Sequence, residues 1–326
     1  MRNTRPLSRL DGMVDAYLSS RRALGRSYIP EEWVLRDLRK FLARVGAQDL
    51  NEDLFDCWRR RSRHLSTSTR LRMERTVYRF CLYRRRSESR CFAPDPLSFV
   101  RLRPYPLPMI IERHQIERLL AAASSLRPVR HSPIRSAVMR LAVVLLYTAG
   151  LRRGELTRLT LDDIDASAGV LRIRDSKFHK SRWVPLSTSA RAELIKYLKA
   201  RRRAGFDEHG TAPLLCSRHS RHSQAYSGGG LLHSLQRLCA ATAVGDSQGR
   251  RPRLQDFRHS FAVGALLRWY EDGADVQTML PRLALYMGHV SIVSTAYYLR
   301  FMPAVVERAG ERFARSCGDL VDGGAP

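Results

Sequence analysis

In Thr148-Ala149-Gly150-Leu151-Arg152-Arg153-Gly154-Glu155-Leu156 one helix stops and a charged one starts. The residues leading into it, 136–148, read as a helix buried on most sides. Gly150 offers that helix a left-handed stop. Arg152 then opens a short second helix, so its guanidinium can leave the buried segment and enter a groove. Glu155 follows three residues later on the same helix face and is expected to orient the arginine. A chain centred on such a helix is mainly α.

The pattern downstream agrees. Strands are predicted at 170–174 and 182–186, bracketing the basic turn 175–181. Helices are predicted at 189–203, 229–241, 255–270 and 276–286, a short one at 291–298 and a last one at about 304–315. Residues 318–326 form a polar tail. Upstream, Leu7, Leu10, Val14, Tyr17 and Leu18 recur at helical spacing, as do Trp33, Leu38, Phe41, Leu42 and Val45. Further helices are predicted near 52–61 and after Ser66 and Thr67, giving a small four-helix bundle. Between the two parts, prolines 94, 96, 104, 106 and 108 block helix and predict an extended linker over 93–109. The expected organisation is therefore 1–92, linker 93–109, a second domain 110–317 and the tail 318–326.

Charge names a partner. The 326 residues hold 57 Lys+Arg against 31 Asp+Glu, a net charge of +26. A compact chain with that excess repels itself unless a polyanion binds. Most of the cations are arginine, which suits phosphate. Residues 1–105 hold 24 Lys+Arg and 12 Asp+Glu, a net of +12 that leaves +14 for the remainder. Two basic lobes suggest a clamp on double-stranded DNA rather than a single basic tail. The six cysteines (57, 81, 91, 216, 239 and 317) show no CxxC spacing. Cys216-x-x-His219-x-x-His222 lies in a polar basic stretch and is too tight for a tetrahedral site, so a phosphate-facing loop is expected there and no metal. Neither a signal peptide nor a membrane-spanning run is visible, which predicts a protein of the reducing cytoplasm with no membrane partner.

Five side chains in order carry the chemistry: Arg152; Lys177 in a basic hairpin; Arg258 in Leu254-Gln-Asp-Phe-Arg258-His; His289 ending Met287-Gly-His; and Tyr298, nine residues on. A tyrosine can attack phosphorus while cations hold the non-bridging oxygens and a lysine protonates the leaving oxygen, with neither metal nor cofactor. In these boxes and their order the chain resembles the tyrosine recombinase (phage-type integrase) family, over most of its length.

The resemblance implies a helical core-binding (SAM-like) domain followed by an α-rich catalytic domain with a small β-sheet, a C-shaped clamp on DNA. Arg22-Ala-Leu-Gly25 fits the end of the first domain's first helix. It also implies site-specific DNA cleavage and rejoining through a 3′-phosphotyrosine on Tyr298. Arg152 and Arg258 would grip the phosphate, His289 would donate to a non-bridging oxygen, and Lys177 would be the general acid. Gln255 stands where the family usually has histidine; an amide can hydrogen-bond phosphate but cannot transfer a proton near pH 7. His259, like Glu155, is expected to support the site through a structural hydrogen bond. Tyr297 is expected in the core. Arg22, Arg153, Lys180 and Arg182 are the expected DNA contacts. Four protomers on two DNA sites, and sister recombinases as partners, are implied too. Strings such as Arg251-Pro-Arg-Leu-Gln255-Asp-Phe-Arg258-His look most like transposon-encoded members, pointing to integration or transposition of a mobile element in a bacterial, nucleoid-associated setting. The alternative is an accessory DNA-binding protein with impaired cleavage, of which Gln255 would be the trace.

Overall fold

The computed structural model describes residues 9–25, 28–102, 107–174, 181–219, 222–289 and 291–301. Lys177, Lys180, the helix expected at 304–315 and the tail lie outside the described residues. The chain divides into two compact units, residues 1–106 and 107–326.

The first unit is a bundle of α1 (Arg9–Ala23), α2 (Ile29–Arg44), α3 (Glu52–Arg60) and α4 (Thr67–Arg84). α1 buries Leu10, Val14, Tyr17 and Leu18, one stripe at helical spacing. It ends as expected near Gly25, which adopts φ 75° while its N–H donates to the Arg22 carbonyl at 2.9 Å. Two side-chain caps start the later helices. Asn51 accepts from the Leu54 N–H at the head of α3, and Ser66 from the Thr69 N–H at the head of α4. The core face of α2 differs from the expectation: Val34, Leu35, Leu38, Phe41 and Leu42 are buried, whereas Trp33 and Val45 are exposed. Val34 and Leu35 complete a stripe with Leu38 and Leu42, which turns Trp33 to the outer side. Residues 93–100 of the expected linker lie against the bundle. Phe99 is buried in the bundle core, with Phe92, Ala93 and Val100 packed beside it, since an aromatic ring gains more by covering Phe55 and Tyr78 than by facing water.

The second unit is built round α6 (Arg135–Thr148), whose residues Val138, Met139 and Leu141 through Leu146 are buried. Each buried Val, Leu or Met side chain among them contributes roughly 1.5–3 kcal/mol on leaving water. Against it lie α5 (Arg113–Ser124), α8 (Thr188–Arg203) and α10 (Leu254–Glu271). α5 answers to no expected element, although Ile116, Leu119 and Ala123 mark its buried stripe. The short α7 (Arg153–Arg158) follows the Gly150 turn. Strands β1 (Ile164–Asp165), β2 (Val170–Ile173) and β3 (Arg182–Pro185) form an antiparallel sheet in that order, with Ile173 opposite Arg182. The stretch expected to be a loop at 216–222 is instead part of an antiparallel hairpin, β4 (Cys216–His219) and β5 (His222–Ala225), with His219 opposite His222. Its sequence hides this because the strands carry little apolar alternation; among the described residues Cys216 alone anchors it in the core. α9 (Gly228–Ala241), α11 (Val276–Met287), α12 (Val293–Ala296) and a 3₁₀ turn (Tyr297–Phe301) complete the described part of the unit. α10, α11 and that turn share a second core cluster containing Tyr298. Among the described residues, no helix is long and apolar enough to cross a membrane.

Candidate active site

The Gly150 turn does two jobs. Its φ of 58° ends α6, and its carbonyl accepts a hydrogen bond from Nη1 of Arg258 at 2.6 Å. Nη2 of Arg258 donates to the Met287 carbonyl, also at 2.6 Å. Arg258 is 1% exposed, and among the described residues no carboxylate pairs with it directly. Burial, then the charge of Arg152, lower its pKa to about 10. A cation held like this is short of an anion.

Arg152 sits at the N-cap of α7 with its side chain 24% exposed, open to an incoming ligand. Its Nη2 donates to the Gly288 carbonyl at 2.8 Å and its Nη1 to Glu155 at 2.7 Å. Both arginines are therefore anchored on consecutive carbonyls, 287 and 288, immediately before His289. Gly288 supplies the αL end of α11, with φ 66°.

Glu155 pairs with Arg152, and it does more. Its carboxylate also accepts two bonds from Arg182, at 3.0 and 2.9 Å. Burial would raise Glu155, but Arg182 and Arg152 outweigh it and hold the carboxyl at about 2. Arg182 was an expected DNA contact, and the structure corrects this. The side chain is only 8% exposed and its Nε donates to the Tyr286 carbonyl at 2.7 Å, so the guanidinium is spent on bracing Glu155 against α11. Of the other expected contacts, Arg153 is exposed and Arg22 is half-exposed and paired with Glu32.

The tyrosine region differs from expectation as well. Tyr298 is 2% exposed, whereas Tyr297, the expected core residue, is only half-buried. The reason is the tight 3₁₀ turn, which points residue 298 into the cluster of α10 and α11. Burial raises the Tyr298 phenol while Arg258 and Arg152 pull it down, with a net rise. His259, expected to make a structural hydrogen bond, reaches the Tyr298 hydroxyl directly, Nδ1 to Oη 3.2 Å. His289 stacks near the same ring, centroids 6.2 Å apart, and its Nδ1 meets Thr295 Oγ1 at 2.7 Å. Burial, followed by Arg258, Arg152 and Arg182, lowers His289 to about 4; burial chiefly does the same to His259. Both rings are neutral near pH 7.

Gln255 lies in the first turn of α10, exposed, one turn before Arg258. Thr295 was missed by the sequence. It is fully buried, and its bond to Nδ1 leaves the far nitrogen of His289 free to carry the proton. Its position three residues before Tyr298 is the one signal that could have found it.

The model of the phage integrase family matches residues 110–303, the span holding Arg152, Glu155, Arg182, Gln255, Arg258, His259, His289 and Tyr298. The chain belongs to the phage integrase family. A Sinorhizobium fredii protein provisionally named integrase/recombinase y4rB is 33% identical over 315 residues, 94% of this chain and 97% of its own. The tyrosine recombinase XerD of Caulobacter vibrioides is 31% identical over 277 residues, 81% of this chain and 82% of its own. In fold, this phage integrase family member is similar to the Tn1549 transposon integrase solved with a circular intermediate DNA. The TM-score is 0.61 at 18% identity, covering 89% of this chain and 94% of that one. By family the chain is a tyrosine-type site-specific recombinase.

Proposed function

We propose that this recombinase cleaves and rejoins double-stranded DNA through a 3′-phosphotyrosine on Tyr298. The observation that carries the reading is the clamp of Arg152 and Arg258 on carbonyls 288 and 287, beside His289 and Tyr298. A phosphodiester is the anion that buried Arg258 lacks, and fixed donors aimed at a developing pentavalent phosphorus stabilise it most in a dry site. The neutral His289 donates to a non-bridging oxygen, Gln255 adds a hydrogen bond, and Lys177 of the basic hairpin protonates the 5′-oxygen. The bond energy stays in the phosphotyrosine, so rejoining needs no energy source.

The two units, 1–106 as core-binding domain and 107–326 as catalytic domain, grip the duplex from two basic surfaces, with Arg22 and Arg153 among the phosphate contacts. Four protomers act on two sites in the bacterial cytoplasm. The y4rB relative and the transposon integrase's fold favour integration or transposition of a mobile element. One observation favours a second reading: exposed Gln255 in place of the family's usual histidine suits an accessory protein that binds without cutting. Trapping on a nicked suicide substrate, from which the freed strand diffuses away, separates the two. Covalent labelling of the wild-type chain is expected; binding without labelling would establish the accessory role.

A further inference from the structure

Among the described residues, one base touches the hydroxyl that must lose a proton. Nδ1 of His259 stands 3.2 Å from Oη of Tyr298, with ring centroids 5.4 Å apart. The neighbouring bases are already engaged. His289 gives its Nδ1 to Thr295. Glu155 accepts four hydrogen bonds from Arg152 and Arg182, and Asp256 accepts three from Arg253. Gln255 is an amide and no proton acceptor.

Resting on the function proposed above, we propose that His259 is the catalytic base for Tyr298, receiving the phenolic proton on Nδ1 as the oxygen bonds to phosphorus. The Tyr298 O–H bond breaks and an N–H bond forms on His259. The Oη–P bond forms as the P–O5′ bond breaks, and the 5′-oxygen leaves with a proton from Lys177. His259 is then an imidazolium and Lys177 a neutral amine. Rejoining runs the same transfers backwards: Lys177 recovers its proton from the attacking 5′-hydroxyl, and His259 returns its own to the departing phenolate. Neither residue needs a bulk proton over a full cycle. This assigns a second proton carrier to a site whose usual histidine position holds Gln255.

The surroundings fit. Burial holds the free ring neutral, with a pKa of about 4, so Nδ1 can accept, given the tautomer with its proton on Nε2. Asp256 favours the imidazolium from the same helix, while Arg253 and Arg258 oppose it. His289, itself neutral, and Tyr298 face it from the other side. A phosphodiester anion seated on Arg152 and Arg258 offsets those two cations and raises His259 toward the working range.

The test compares two suicide duplexes, one ordinary and one with sulfur replacing the bridging 5′-oxygen at the cleaved bond. A thiolate leaves without a proton, so the sulfur substrate bypasses the general acid and reports on the nucleophile alone. His259→Asn keeps a polar group near Nδ1 but cannot hold a proton; His259→Ala removes both. Each should slow single-turnover adduct formation by about 10²-fold or more on both substrates, with DNA binding within a few-fold of wild type. The wild-type rate should fall at acid pH as the ring protonates, and the Asn variant should lack that limb. Lys177→Ala, by contrast, should be rescued by sulfur. An Asn variant within threefold of wild type, or rescued by sulfur, would overturn the assignment of His259 while leaving the recombinase reading intact. A wild-type chain forming no adduct on either duplex would overturn both.

Discussion

Glu155 illustrates how much a single residue does behind the reacting groups. It is 2% exposed and braces Arg152 and Arg182 together. Removing one partner of a buried pair leaves an uncompensated charge and costs about 3–5 kcal/mol. Glu155→Gln is therefore expected to lower urea-unfolding stability by roughly that amount; a change below about 1 kcal/mol would show that Arg182 finds another partner. The acid dependence follows from the direction of each shift. Glu155 is depressed to about 2, so its contribution is complete above the unfolded value of about 4.3 and is lost as pH falls toward 2. His259 and His289 are depressed to about 4. Between about 6.5 and 4 the unfolded chain binds their protons first, so stability should already decline in that higher window. The check is urea midpoints measured from neutral to acid pH. Wild type should lose stability in two stages, His259→Asn should soften the first, and Glu155→Gln should lack the second. A midpoint flat between pH 6.5 and 4 would contradict the burial of these rings. The residue types and order of the site were legible in the sequence, because the boxes fix them. The partners were not: nothing in a string shows that Arg182 turns inward to Glu155, or that His259 reaches the tyrosine hydroxyl.

At the scale of elements, the legible features were those with strong local chemistry. α6 ends where Gly150 stops it, and the β2–β3 pair frames the basic hairpin. On α2 the expected Leu38, Phe41 and Leu42 are buried, but Trp33 and Val45 at the ends of that pattern are exposed, since only packing decides which neighbouring stripe turns inward. The β4–β5 hairpin was hidden for the opposite reason: its polar strands carry almost no hydrophobic pattern. Gly150 gives the sharpest test at this level. A Cβ there would lie 2.4 Å from the Phe261 ring in addition to adopting a positive φ. Gly150→Ala should cost about 2–4 kcal/mol, combining left-handed strain with overpacking, and should loosen Arg258, which donates to its carbonyl. Gly25→Ala has the same φ sign but open space around it, so it should cost only about 1 kcal/mol. Equal losses in chemical denaturation would show that the ring contact yields.

The whole molecule is governed by its charge of +26, shared between both halves of the sequence. Two basic surfaces on one duplex should release many counterions, giving a log–log salt slope for binding of about −5 or steeper for six or more phosphates. A slope near −1 would leave room for only one contact. That charge was the most legible feature of the chain as a whole, whereas the placing of 93–100 on the bundle was not, because prolines show where helix is barred and not where Phe99 packs. Everything proposed for the site turns on Tyr298 becoming covalently linked to DNA. The most direct measurement is peptide mapping of the adduct trapped on a nicked suicide substrate, with Tyr298→Phe and Tyr297→Phe run alongside. The DNA-linked peptide should contain residue 298, the adduct should vanish in Tyr298→Phe, and Tyr297→Phe should retain it. An adduct that persists in Tyr298→Phe and disappears in Tyr297→Phe would contradict a covalent link at Tyr298.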